Sequence, residues 1–157
     1  MAASARDPIT CHVLDTTTGR PAVNITVKLS CVTVSTIEFI CETNSDGRIT
    51  NWRNEQGTTR YTATGEPSER HGSFVKLHGG VTATLQHMIT EYAAAEATAA
   101  CPAGSSLWKL EFDTGSYYGA ANTFFPKVDL IFLVKEGEHF HVPLLLGPYS
   151  FTTYRGS

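Results

Sequence analysis

Two stretches of the chain alternate side chains with the period of two that is typical of β-strands. The first runs from Ile9 to Asp15 and has one apolar face and one mixed face. The apolar face consists of Ile9, Cys11 and Val13, and the mixed face consists of Thr10, His12 and Leu14. This pattern predicts a strand that buries one face and presents a threonine and a histidine on the other.

The second alternating stretch, from His139 to Leu146, is unusual because both of its faces contain apolar residues. Its core face consists of Phe140, Val142, Leu144 and Leu146, and its opposite face consists of His139, His141, Pro143 and Leu145. A face that meets solvent is normally polar throughout, so this second face indicates a subunit interface or the wall of a pocket.

The remaining pattern predicts an all-β protein with short strands separated by turn signals. Residues Asn24 to Ile40 form either one long strand or two strands that meet near Ser35. Further strand segments are Arg48 to Thr50, Leu107 to Phe112, Lys127 to Val134 and Tyr149 to Tyr154, and Asp113 could cap a short helix. Seven or eight such strands favour an antiparallel sandwich or barrel.

The middle of the chain has a different character. Arg53 to Ser73 is rich in Thr, Gly and Glu, which predicts a solvated loop. Val81 to Ala100 has helical spacing of apolar residues followed by several alanines, which predicts a helix that ends at Cys101-Pro102.

Composition narrows the classes of protein that fit. A length of 157 residues indicates a single domain, and 41% hydrophobic with 17% charged residues excludes wholesale disorder. The net charge of −3 argues against a nucleic-acid or anionic-membrane surface. No apolar run approaches the ~18 residues of a membrane span, and the N-terminus lacks the apolar stretch of a secretion signal. The four cysteines form no C-x-x-C pair, so we expect free thiols.

Three side chains suggest proton transfer and charge stabilisation. His141 lies on the partly covered face, where its pKa can be tuned, and His12 could be a second proton-transfer group. Arg48 follows an Asp-Gly turn and could stabilise negative charge on a carbonyl oxygen. Taken singly, each is more often structural. His139 and His141 could also form a metal pair, although no third ligand is evident.

Several short motifs follow one another along the chain: Cys11-His12-Val13-Leu14-Asp15, Gly19-Arg20-Pro21-Ala22, Asp46-Gly47-Arg48, Phe112-Asp113-Thr114-Gly115, Phe124-Phe125-Pro126, His139 to Leu146, Pro148-Tyr149-Ser150 and the final Tyr154-Arg155-Gly156-Ser157. Taken together, they resemble the motifs of the 5-hydroxyisourate hydrolases, the enzyme branch of the transthyretin-like family. The resemblance covers residues 8–52 and 107–157 of a single transthyretin-like domain and leaves an insertion at about 53–106.

This resemblance implies a prealbumin-like sandwich of two four-stranded antiparallel sheets with one short helix. It implies a homotetramer with active sites at the dimer–dimer interface, and hydrolysis of 5-hydroxyisourate, a cyclic amide of urate degradation, without metal or cofactor. The implied catalytic residues are His12, Arg48, His141 and Ser157, and the implied substrate-binding residues are Tyr154, Arg155 and Gly156.

Other expectations follow from the same comparison. His139 remains a generic histidine whose replacement should matter much less. Because every motif lies outside the insertion, we expect that a short linker could replace roughly Asn54 to Gly104 without loss of fold or activity. The cellular location is expected to be cytoplasmic or peroxisomal. The alternative function is a transthyretin-like carrier of small aromatic ligands in the same channel.

Overall fold

In the computed structural model, which describes residues 6–52 and 80–157, the strands form two sheets. The first sheet contains β1 (Ile9–Asp15), β2 (Arg20–Pro21), β5 (Arg48–Ile49), β8 (Phe140–Leu146) and β9 (Phe151–Thr153). The second contains β3 (Thr26–Cys31), β4 (Val34–Glu42), β6 (Ser105–Phe112) and β7 (Val128–Lys135). The helical segments are α1 (Val81–Glu91), α2 (Thr114–Tyr118) and a 3₁₀ turn (Ala120–Asn122).

The predicted sandwich is confirmed, and the alternating patterns identify its interior. The apolar faces of β1 and β8 belong to one hydrophobic core together with residues of the second sheet. The largest fully buried side chains include Trp52, Trp108, Phe39 and Phe112. Burial of such side chains stabilises the fold by roughly 1.5–3 kcal/mol each. The core therefore fixes one face of β1 and β8 and leaves their other face for chemistry.

The first sheet differs from the expected four-stranded antiparallel sheet in two respects, since it has five strands and one of its strand pairs is parallel. The first sheet runs β2-β1-β8-β9, with β5 also pairing with β1, and β1 lies parallel to β8. The second sheet runs β4-β3-β6-β7. The segment Asn24 to Ile40 forms two strands, and they meet at Val32 and Thr33, close to the predicted junction near Ser35. A two-residue connection at this point allows β3 and β4 to pair as a hairpin.

The predicted helix is shorter than its alanine content suggests. It ends at Glu91, whereas the sequence predicted an end near Ala100. Beyond it, the backbone N–H of Ala94 donates to the carbonyl of Ser105, and the N–H of Gly104 donates to the carbonyl of Ala94. These bonds connect residues 94–104 to the start of β6, so contacts with the sheet override the helix propensity of the alanines.

Helix α1 is part of the core rather than a surface addition. Its buried face consists of Val81, Thr84, Leu85, Met88 and Ile89. The four apolar members of that face lie in the same hydrophobic cluster as the two sheets. Removing 54–104 would therefore open the core, and the expectation that a linker could replace this segment is not supported. The predicted loop from Arg53 to Ser73 lies outside the described residues.

The buried carboxylate of Asp7 ties this helix to the N-terminal segment. Asp7 is fully buried, and it accepts hydrogen bonds from the backbone N–H of Trp52 at 2.7 Å and the hydroxyl of Thr82 at 2.6 Å. The indole N–H of Trp52 also donates to the carbonyl of Ile9 at 2.8 Å. A buried carboxylate is tolerated only when it is hydrogen-bonded, and here its partners come from both sides of residues 53–79.

A second carboxylate fixes the end of β1. Asp15 accepts hydrogen bonds from the hydroxyls of Tyr117 and Tyr118 on α2, at 2.8 and 3.1 Å, and from the hydroxyl and backbone N–H of Thr17. Burial alone would raise the pKa of Asp15, but these hydrogen bonds outweigh burial and lower it. The predicted cap of α2 is confirmed, because Asp113 accepts from the backbone N–H of Ser116.

All four cysteines are free thiols, as the sequence predicted. Within the part of the chain that the structure describes, no helix is both long enough and apolar enough to cross a membrane.

Candidate functional site

The two histidines singled out by the sequence lie side by side on the outer face of the first sheet. In the parallel pairing of β1 with β8, Thr10 is opposite His141 and His12 is opposite Pro143, so these residues share a face. The ring centroids of His12 and His141 are 6.5 Å apart, and the ring planes are inclined by 27°. Both rings are half-buried, and a small molecule could contact both of them at once.

A tight turn brings Arg48 to the same place. Arg48 lies directly opposite His12 in the antiparallel pairing of β5 with β1, and opposite residues share a face of the sheet. Gly47, with φ of 71°, precedes it, and a Cβ there would lie 2.5 Å from the carbonyl oxygen of Val13. The side chain of Asn44 accepts the backbone N–H of Arg48 at 2.9 Å. The turn therefore holds an exposed guanidinium beside the histidines.

The surroundings lower the pKa of both histidines. For His12, burial has the largest effect and the charge of Arg48 adds to it, while a backbone hydrogen bond to Asp46 and its charge act in the opposite direction. For His141, burial again comes first, followed by the charges of Arg48 and His12. A lower pKa keeps an imidazole neutral near pH 7, which is the form that can accept a proton.

The last residues of the chain extend the sheet past His141. The register of β8 with β9 pairs Leu144 with Thr153, and the same register continues to a bridge between His141 and Gly156. The N–H of Gly156 donates to the carbonyl of His141 at 2.8 Å. Between them, Pro143 has no N–H to offer, which explains why the regular strand β9 ends at Thr153 before pairing resumes.

Gly156 is required for space rather than for backbone freedom. A Cβ at this position would lie 2.6 Å from Cδ2 of His141 and 3.0 Å from Cγ of Pro143. The residue lies in the antiparallel ladder and its φ is not in the left-handed region. The absent side chain thus allows the backbone of the tail to lie directly against the imidazole of His141.

Substitution of Gly156 by alanine is expected to lower activity more than stability. The new methyl group must displace either the tail or the ring of His141, and a misplacement of about 1 Å at a reacting group can cost up to ~10²-fold in rate. The free energy of unfolding should change by less than about 1 kcal/mol, because the tail lies at a sheet edge. Steady-state kinetics and thermal melting of the two proteins would test this, and an unchanged rate would contradict it.

The register assigns the other tail residues to different faces. Tyr154 falls opposite Pro143, on the face of His12 and His141, and its side chain is 57% exposed. Arg155 falls on the other face, where its guanidinium lies 4.7 Å from the ring centre of Phe140 and 3.6 Å from a carboxylate oxygen of Glu138. Ser157 is exposed and follows Gly156 directly. Tyr154 is thus better placed than Arg155 to meet a ligand.

The structure places two further side chains, Thr10 and His139, in contact with or close to His141, although the sequence did not predict them as site residues. The hydroxyl of Thr10 lies 2.8 Å from Nδ1 of His141 and 3.2 Å from Nε2 of His139. The strand alternation already put Thr10 on the face of His12, and that was the only signal available. Its contact with the two histidines depends on the parallel pairing of β1 with β8, which the pattern did not predict.

Other chemistry considered for this region finds little support in the geometry. Among residues 6–52 and 80–157, no three His, Cys, Asp or Glu side chains lie close enough together to hold a metal ion. Cys11 is fully buried on the core face, and burial raises the pKa of its thiol well above the ordinary value. A thiol in this state is a poor nucleophile.

A cleft of about 590 Å³ lies beside the site, between the edge strands β7 and β9. Its lining residues are Asp129 to Leu133, Lys135, Glu138, Phe140 to Val142 and Thr153 to Arg155. It therefore touches His141 and Tyr154 but not His12 or Arg48. We place the candidate chemistry on the outer face of the sheet, where the two histidines and Arg48 converge, rather than in this cleft.

Comparison with known proteins agrees with the fold and with the motifs. A family model described as the HIUase/Transthyretin family matches residues 9–156. The 5-hydroxyisourate hydrolase of Mus musculus is 31% identical over 158 residues, which covers 99% of this chain and 99% of the mouse protein.

Two solved structures share the architecture. Klebsiella pneumoniae 5-hydroxyisourate hydrolase aligns with a TM-score of 0.53 and 22% identity, covering 95% of this chain and 92% of that chain. Transthyretin from Sparus aurata aligns with a TM-score of 0.57 and 21% identity, covering 96% and 97%. At these identities, the two structures support the fold alone.

The family match begins at the first residue of β1 and ends at Gly156, the residue that pairs with His141. It thus spans every strand described above and all but the last residue of the candidate site. The chain belongs to the HIUase/transthyretin family.

Proposed function

We propose that this protein hydrolyses 5-hydroxyisourate, opening the cyclic amide by addition of water in urate degradation. The observation that carries the proposal is the convergence of two histidines, each with a lowered pKa, and one arginine on a single sheet face. Relatives that align over their full length, such as the mouse protein, bear the name of this activity. A carrier of aromatic ligands would have no need for paired histidines held neutral beside a fixed cation.

In the proposed mechanism, one histidine acts as the general base. Water is a poor nucleophile at neutral pH, and a neutral imidazole that removes its proton typically contributes ~10²–10⁴-fold to the rate. His141 and His12 lie close enough together for one to remove the proton of water and the other to orient the water or return the proton. Both have a pKa below the ordinary histidine value of 6.5, so both imidazoles stay unprotonated at neutral pH and can act as bases.

Arg48 has the complementary role. Attack of water on the amide carbonyl places negative charge on its oxygen, and a fixed guanidinium beside that oxygen stabilises the charge. The same positive charge contributes to the lowered pKa of both histidines. Arg48 thus stabilises the oxyanion and adds to the effect of burial in favouring the unprotonated histidines.

The tail supplies the remaining contacts in this proposal. Gly156 places the backbone against His141, and Tyr154 shares the face of the histidines, so Tyr154 is the proposed substrate contact. Ser157 follows immediately and is proposed to help position the water. Arg155 is assigned to substrate binding by resemblance alone, and its contacts with Glu138 and Phe140 support a role in holding the tail.

We also propose that the chain works as a homotetramer with active sites at the dimer–dimer interface. The outer face of β8 supports this, because it carries the apolar residues Pro143 and Leu145 in place of the polar residues of an ordinary solvent face. The edge strand β7 exposes Ile131 and Leu133, with 62% and 39% of their surfaces accessible. Exposed apolar edges favour pairing with another chain. The proposed location is the cytoplasm or the peroxisome.

The decisive experiment follows the absorbance decay of 5-hydroxyisourate generated in place by oxidation of urate. Addition of the protein should accelerate the decay in proportion to its concentration. A heat-denatured sample provides the control for nonspecific effects. If the decay stays at the spontaneous rate while circular dichroism shows that the protein is folded, the hydrolase proposal is wrong.

A further inference from the structure

The hydroxyl of Thr10 is buried between two histidine rings and is the best-placed polar group outside the proposed catalytic set. Only 1% of the surface of Thr10 is accessible. Its Oγ1 is 2.8 Å from Nδ1 of His141 and 3.2 Å from Nε2 of His139. Both distances are within hydrogen-bond range, so the three side chains form one chain of contacts that ends at His141.

The number of available protons limits how the hydrogen bonds among His139, Thr10 and His141 can be arranged. A neutral imidazole has one N–H and one bare nitrogen, and a hydroxyl has a single proton to donate. If Thr10 donates to Nδ1 of His141, the imidazole must have its own proton on Nε2. If Thr10 instead donates to Nε2 of His139, its oxygen can accept the N–H at Nδ1 of His141. Only the second arrangement leaves Nε2 of His141 as a bare nitrogen.

We propose that Thr10 is a positioning residue whose oxygen accepts a hydrogen bond from Nδ1–H of His141 and whose O–H donates a hydrogen bond to Nε2 of His139, so that Nε2 of His141 becomes the base. This inference rests on the proposed function, in which one of the two histidines accepts a proton from water, and it assigns that role to His141. The hydroxyl of Thr10 is hydrogen-bonded to Nδ1 of His141, so Nε2 of His141 is the nitrogen that can accept a proton from water. His139 is itself half-buried and near Arg6, which lowers its pKa and keeps it neutral and able to accept.

The relay gives His139 a role that its sequence position does not reveal. Without an acceptor at position 139, the hydroxyl of Thr10 is free to turn towards His141 and donate to Nδ1. His141 would then have its proton on Nε2 and would no longer serve as a base. The tautomer of a histidine is set in this way by the partner of its other nitrogen, and the wrong tautomer of a catalytic histidine can cost up to ~10⁴-fold in rate.

The tautomer can be measured without any substrate. Nitrogen-15 NMR at pH 8, where the rings are neutral, should show a protonated Nδ1 and a bare Nε2 for His141 in the wild-type protein. Thr10→Val removes the hydroxyl at nearly constant shape and should shift His141 towards the Nε2-protonated form, while Thr10→Ser should retain the wild-type pattern. The same pattern in wild type and Thr10→Val would overturn the proposal.

Kinetics give a second readout. Thr10→Val should lower kcat at least about tenfold with KM changed less than about threefold, because binding contacts are kept while the base is lost. Thr10→Ser should recover most of the rate. An equal loss in both variants would mean that Thr10 acts through packing and would count against the relay.

A pair of variants at position 139 covers the case in which Thr10→Val does not fold. His139→Ala should move the proton of His141 to Nε2, and His139→Gln, which keeps an acceptor oxygen, should restore the Nδ1 form. If His139→Ala leaves the tautomer unchanged, the relay is wrong. If the wild-type protein shows the expected tautomer but does not accelerate decay of 5-hydroxyisourate, the proposed function fails while the hydrogen-bonded relay remains.

Discussion

Replacement of His12 or His141 by alanine is expected to lower the turnover of 5-hydroxyisourate by at least ~10²-fold, the lower range for loss of a general acid or base. The effect should appear mainly in kcat, because proton transfer is needed in the transition state rather than for binding. Melting curves should change little, since both side chains are on the sheet face opposite the hydrophobic core. Initial rates at saturating substrate, measured beside the melting curves, would test the prediction.

The matched control is a histidine of helix α1 that is not among the candidate site residues. His87 lies on the exposed side of α1, and His87→Ala should retain the wild-type rate. The sequence suggested His139 for this purpose, but the 3.2 Å contact of its Nε2 with Thr10 makes it unsuitable. Near wild-type rates in both His12→Ala and His141→Ala would refute the proposed mechanism.

Truncation of Leu85 to alanine is expected to reduce the free energy of unfolding by about 2–5 kcal/mol, the usual cost of emptying such a volume in a core. Leu85 is fully buried on α1 and belongs to the cluster shared by both sheets. A domain of this size has a total stability of only about 5–15 kcal/mol, so the loss would be a large fraction of it. Urea denaturation gives the difference directly.

The neighbouring position provides the control. Gln86 is exposed on the same helix, and Gln86→Ala should change the stability by no more than about 0.5 kcal/mol. Replacement of residues 54–104 by a linker removes the whole buried face of α1 and should prevent folding. If Leu85→Ala and Gln86→Ala were equally stable, α1 would be an addition to the fold, as the sequence alone suggested.

The alternation of side chains along β1 and β8 was sufficient to predict these strands and their buried faces, while the choice of a sandwich over a barrel came from the resemblance to the family. It depends on local geometry, since successive residues of any strand point to opposite sides. The end of α1 could not be predicted in the same way, because a long-range bond from Ala94 to Ser105 ends the helical region. The parallel pairing of β1 with β8 is likewise a property of the whole sheet, and no pattern within either strand encodes it.

The residues of the candidate site show the same difference between what a local pattern predicts and what depends on long-range contacts. His12, Arg48 and His141 were predicted from their residue types and motifs, because a histidine or an arginine indicates its chemistry wherever it lies. Thr10 was missed because a threonine gains a role only from its neighbours, and those come from a strand about 130 positions away. For Gly156 the position was predicted, but its steric cause required the distance to the ring of His141.

The parallel pairing of β1 with β8 also has a consequence for how the protein is made. Thr10 and His141 are separated by 131 positions, so the first strand has no partner on that side until β8 has left the ribosome. Pairings of such long range are slow to form, because loop closure must precede any gain from contact. The candidate site is therefore among the last parts of the described fold to assemble, and a chain that stops before β8 cannot have one.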